Sequence, residues 1–173
     1  MADALERIHH AFDQTLGRDF HVRLVGGFDE PFYWPGTVTH CAEIRYREDF
    51  AASALHEIAH WCLAGRRRRS LEDYGYWYEP NRDPVAQANF ESVEARPQAL
   101  EWIFAQAAGL PFRVSADNFA QEVGVDFRLK VQHAALALVL NMPLTALEFS
   151  TALARRSGHA DFLSPGHFKE QPA

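Results

Sequence analysis

Two histidines four residues apart, the first followed by a glutamate, restrict this chain more than any other stretch. The run His56-Glu57-Ile58-Ala59-His60 makes economical sense only on a helix. At about 100° per residue the two imidazoles lie about 40° apart on one face, one turn above the other, which is chelating geometry for a single cation. The same count places Leu55, Ile58, Ala59 and Cys62 on a neighbouring stripe, so the helix can bury its apolar side and still turn both histidines to a cleft. Ser53 is placed to cap the start and Gly65 to stop the end. The plain alternative is a surface helix with two unremarkable histidines, and the helical context favours the metal.

Two histidines need at least one further ligand. In the extended pattern a glycine stands three residues beyond the second histidine and a third histidine three beyond that. Here those places hold Leu63 and Arg66, so the ligand must come from elsewhere. The best source is Phe90-Glu91-Ser92-Val93-Glu94-Ala95-Arg96-Pro97-Gln98-Ala99-Leu100, within a helix predicted over 85–108. Glu91 and Glu94 share a face there. Glu94 is preferred, because Pro97 and Leu100 beyond it let that side pack closely on the histidine helix; Glu91 is the alternative. Without a metal, the pair reads as a solvated face with Arg96 as partner.

With 173 residues, 47% of them hydrophobic, the chain is sized for one compact domain over 1–173 with a tail from about 157 that reads as loose. No internal repeat interrupts it. No apolar run reaches the roughly 18 residues of a membrane span, and the first residues read as an amphipathic helix without a secretory signal. These features predict a cytoplasmic protein with no membrane attachment. Cys41 and Cys62 have no paired spacing, so reduced structural thiols are expected. A net charge of −6 argues against direct nucleic-acid binding. Against that balance, Arg66-Arg67-Arg68-Arg69 is either a solvated turn or a docking point for an acidic partner, in which Arg66 and Arg67 would touch substrate.

An opening helix is predicted to about Leu16, then a strand over 20–25 ending at Gly26-Gly27, an aromatic loop over 28–36, and a second strand over 42–46 paired antiparallel and close to the histidine helix. After the 85–108 helix, Ser115 and Asp117 can cap a short helix to about Val123. Asp126 opens an apolar helix to Asn141, and a last helix spans about 144–156. The fold class is therefore α+β, a mostly helical domain with a small antiparallel sheet and a zincin-like metal helix. Tyr74, Tyr76 and Tyr78, in the stretch Tyr74-Gly75-Tyr76-Trp77-Tyr78, either fill the core or wall a cleft for a long aliphatic or cationic side chain. Of the other histidines only His40 is a candidate for a cleft.

Ser53-Ala54-Leu55-His56-Glu57-Ile58-Ala59-His60-Trp61-Cys62, the tyrosine-rich stretch, Phe90-Glu91-Ser92-Val93-Glu94 running into Pro97-Gln98-Ala99-Leu100-Glu101-Trp102, and Ala107-Ala108-Gly109-Leu110-Pro111-Phe112 with Ser115-Ala116-Asp117-Asn118-Phe119 together resemble the elongation factor P hydroxylases of proteobacteria. The similarity runs from about residue 5 to about residue 160. It implies a cytosolic enzyme that hydroxylates the β-lysylated lysine of elongation factor P, with that factor as its partner. It also implies a metal held by His56, His60 and a downstream glutamate.

Two histidines and one carboxylate leave open positions on a six-coordinate iron(II), where dioxygen and the reacting side chain can approach together. Fe(II) with O2 as cosubstrate is the expected pairing, and Glu57 then orients a bound water or oxygen species. Zinc in the same site would polarise a water for attack on a carbonyl, with Glu57 taking its proton, so a cytosolic zinc metallopeptidase is the alternative. A noncatalytic, metal-stabilised docking protein is a third reading. No Gly-x-Gly-x-x-Gly fingerprint marks a dinucleotide donor, and no 2-oxoglutarate is expected.

Overall fold

The computed structural model describes residues 3–75, 84–115, 123–170 and 172. Helix α1 (Ala4–Phe12) runs through a π turn (Asp13–Gly17) into α2 (Arg18–Phe20). Strands β1 (Val22–Phe28), β2 (Phe32–Trp34) and β3 (Ala42–Arg47) follow, then α3 (Ala51–Leu63), α4 (Pro84–Ala108), α5 (Val125–Leu140) and α6 (Leu144–Ser157). Among the described residues no single helix is long and apolar enough to cross a membrane.

The apolar spacing of the first helix buries Ile8, Ala11, Phe12 and Leu16. Thr15 turns its hydroxyl back on the Ala11 carbonyl at 2.7 Å where the helix loosens into the π turn. Helical structure persists through Phe20 and ends at His21, which takes a left-handed φ of 51°. The first strand thus starts later than its alternating pattern suggests, and it runs through Gly26 and Gly27 instead of stopping there. Gly26 is there for packing: a Cβ would sit 2.5 Å from the Cζ and hydroxyl of Tyr46, a buried ring.

The sheet is mixed, which corrects the antiparallel expectation. Its order is β1-β3-β2, with β3 parallel to β1 (Val22 opposite Ala42, Leu24 opposite Ile44) and antiparallel to β2 (Tyr33 opposite Ile44). The segment 28–36, expected as a loop, carries β2 along the far edge, and the chain then returns through 37–41 so that β3 enters in the direction of β1. Val22, Leu24, Ala42, Ile44 and Tyr46 are buried, and α3 packs against β3.

Behind α3 runs α4, the longest helix, which also contacts α1, α5 and α6. Phe149 on α6 meets Phe12 and Phe104 edge-on, at 6.4 and 4.9 Å between ring centroids. The expected loose tail is instead docked. Phe168 is fully buried and packs edge-on against Trp102 at 4.9 Å, while the Gln132 amide donates to the Phe168 and Lys169 carbonyls at 3.0 and 2.7 Å. The helix predicted to follow Ser115 falls largely on residues 116–122, outside those described.

Both ends of α3 depart from expectation in ways that fix its place. Ser53 lies inside the first turn, and its hydroxyl accepts the Arg47 N–H at 3.0 Å, tying the helix to the end of β3. At the other end Ala64, not Gly65, is the capping residue. Arg69 donates to the Trp61 and Cys62 carbonyls at 3.0 and 3.5 Å, with its guanidinium 3.6 Å from the centre of the Trp61 ring. One member of the arginine run is thus a cation on the C-terminal carbonyls of the helix and not a solvated charge.

Candidate metal centre

The two helices α3 and α4 bring three side chains to one point. His56 Nε2 and His60 Nε2 are 3.0 Å apart, His56 Nε2 is 3.5 Å from Glu94 Oε2, and His60 Nε2 is 3.4 Å from Glu94 Oε1. Donors held about 2.1 Å from a common cation are separated by about 3.0 Å at right angles and about 3.4 Å at tetrahedral angles. The triangle therefore fits one divalent ion. His60 and Glu94 are buried, at 7% and 2% exposure, and a carboxylate so enclosed demands charged or hydrogen-bonding company. Two imidazole nitrogens supply it here.

Of the two candidate glutamates, only Glu94 reaches the histidines. Glu91, one turn earlier, pairs instead with Lys130 on α5 at 3.8 Å. Behind His56 stands a residue that the sequence reading did not assign: Glu101 Oε2 lies 2.8 Å from His56 Nδ1. Its signal was spacing, because a residue seven beyond Glu94 returns to nearly the same helical face.

Burial opposes a charge on His56, but the hydrogen bond and charge of Glu101, with Glu94 and Glu57 behind them, more than offset it, and the imidazole pKa rises to about 10. Burial pushes the Glu57 carboxyl up from its usual range against the opposing pull of His56 and His60.

Tyr74 is buried beside them. Its ring lies parallel to that of His60 at 6.3 Å and stacks on Tyr33 at 4.4 Å. Asp73 and Tyr74 both take left-handed φ values, 46° and 58°, and the Asp73 carboxylate accepts the Tyr33 N–H at 2.8 Å, pinning the turn to β2. Tyr76 and Tyr78 lie outside the described residues.

Arg66 and Arg67 are exposed. Arg66 borders a cavity of about 620 Å³ shared with Phe20, Tyr33, Trp61 and Arg69. His40 belongs to this cavity and not to the triad; it stacks on Trp34 at 4.2 Å. Neither cysteine joins the metal cluster. Cys41 is exposed and free, and burial pushes the Cys62 thiol up to about 12.

Comparison with known proteins matches residues 11–164 to the family described as elongation factor P hydroxylase. The chain is also 51% identical over 121 residues to the elongation factor P lysine hydroxylase of Haemophilus influenzae, covering 68% of this chain and 67% of that protein.

Proposed function

Because the chain belongs to the elongation factor P hydroxylase family, we propose that it hydroxylates a lysine side chain of elongation factor P, the β-lysylated one, at a cation held by His56, His60 and Glu94. The observation that carries this reading is the convergence of two imidazoles and one buried carboxylate within 3.0–3.5 Å in a member of that family. Iron(II) bound there would supply the dioxygen chemistry, in which one oxygen atom enters a lysine C–H bond and the other leaves as water with two electrons and two protons from an external reductant. Glu57 holds a proton or orients a water beside the cation. The Tyr74 ring forms a wall of the cleft. The protein works in the cytoplasm, beside the translation factor it modifies. The similarities give the zinc metallopeptidase alternative no support.

Mass spectrometry of β-lysylated elongation factor P tests the assignment directly. Incubated with iron-loaded enzyme and a reductant under oxygen-18 gas, the factor should gain one heavy oxygen atom; with zinc-loaded enzyme it should gain none. An unchanged mass with iron, or equal oxygen gain without any metal, overturns it.

Arg66 and Arg67 are assigned to docking of an acidic surface of the factor. Reversing both charges (Arg66→Glu with Arg67→Glu) should raise KM for the intact factor roughly three- to tenfold with little change in kcat, and added salt should shrink the difference. Steady-state kinetics at two ionic strengths decide this. An unchanged KM at low salt returns both residues to the status of a solvated turn.

A further inference from the structure

We propose that Glu101 is a positioning residue of this centre, whose carboxylate accepts a hydrogen bond from His56 Nδ1–H, fixes the tautomer that turns Nε2 to the cation, and strengthens that nitrogen as a donor. The inference rests on reading the triad as a metal centre. Its geometry is that of a ring bridging two carboxylates of one helix. Glu94 and Glu101 are seven residues apart on α4, about 10 Å along its axis and nearly in line. The imidazole of His56 spans that gap, with Nε2 3.5 Å from Glu94 and Nδ1 2.8 Å from Glu101.

Burial alone does not hold this ring. The His56 side chain is 26% exposed, against 7% for His60. His60 is packed under the parallel ring of Tyr74, whereas His56 stands nearer the solvent and has rotational freedom to lose. A carboxylate contact at 2.8 Å is in the range of a charge-assisted hydrogen bond and removes that freedom. The Glu101 side chain is itself only 12% exposed, and among the described residues no lysine or arginine forms an ion pair with it. Its charge is directed at the imidazole. Carboxylates behind metal-bound histidines fix ring orientation and raise ligand basicity in this way.

Cobalt(II) added to the metal-free protein, read by visible absorption and by chelator competition, tests the role without any turnover. Glu101→Gln should bind cobalt about 10- to 100-fold more weakly than the wild type, with an altered absorption band, and Glu101→Asp should recover part of the loss. Wild-type affinity and an unchanged band in Glu101→Gln would overturn the proposal. Should that variant not fold, nitrogen-15 histidine spectra of the zinc-loaded wild type decide instead. A proton on His56 Nδ1 with the metal on Nε2 supports the assignment, and the metal on Nδ1 ends it. Failure of the wild type to hydroxylate elongation factor P would overturn the functional reading and leave these metal measurements standing.

Discussion

Alanine in place of His60 is expected to lower kcat/KM toward elongation factor P by at least about 10³-fold, a loss of about 4 kcal/mol of transition-state stabilisation, and to leave the purified protein without its cation. Two ligands would remain, one of them the more exposed His56. The substitution also strips a partner from Glu94, whose carboxylate is 2% exposed, so the metal-free fold should lose about 1–3 kcal/mol as well. That second effect must be separated from the first. Elemental analysis, a thermal melt and single-turnover hydroxylation on the same preparation do so. A variant that melts a few degrees below the metal-free wild type, still cooperatively, carries no metal and modifies nothing matches expectation. One that keeps wild-type turnover removes His60 from the centre.

The parts of the site that were legible in the sequence are those that follow from position along one helix. His56 and His60 share a face because 3.6 residues make a turn, and the apolar stripe beside them is the buried face observed, with Leu55, Ile58, Ala59 and Cys62 all in the core. Glu94 follows from the same logic applied to a second helix, where Pro97 and Leu100 are expected to let α4 lie close to α3, and both are buried. Glu101 required knowing how far along α4 the two helices stay in contact, which depends on how they cross and is not written in either stretch alone. Parallel pairing of β1 with β3 was hidden for a different reason: inward alternation looks the same whichever way a strand runs, and only the path of 29–41 distinguishes the two. The three residues of β2 are too few to show a period. Phe162 and Phe168 are single aromatics in a Gly/Pro-bearing tail, so nothing periodic announced that they are buried. Arg69 belongs to a charge run in the sequence, yet it is placed by the open carbonyls at the end of α3, a tertiary relation invisible to composition.

Proton and cation compete for the same nitrogen of His56, so the affinity of the centre for its metal should climb steeply with pH. The folded, metal-free protein holds a proton on His56 up to a pKa of about 10, against 6.5 for an ordinary imidazole. A cation arriving at neutral pH must displace that proton. Its apparent affinity should therefore rise about tenfold for each pH unit, worth about 1.4 kcal/mol, and level off only as pH approaches the folded-state pKa. Stability of the metal-free protein moves the other way. A group whose pKa is raised on folding stabilises the fold fully below its unfolded value and loses that contribution as pH rises through the folded one, here from 6.5 towards about 10. The gap in melting temperature between metal-loaded and metal-free protein should thus widen from pH 6.5 to pH 9. Glu101 favours both occupants of the nitrogen, but it attracts a divalent cation about twice as strongly as a single positive charge at the same place, so the metal still prevails. Calorimetric titration of zinc at pH 7 in two buffers of different ionisation enthalpy counts the proton directly. One proton released per zinc is expected, and a heat independent of buffer would mean that His56 is already neutral and that the Glu101 contact does not hold a charge there.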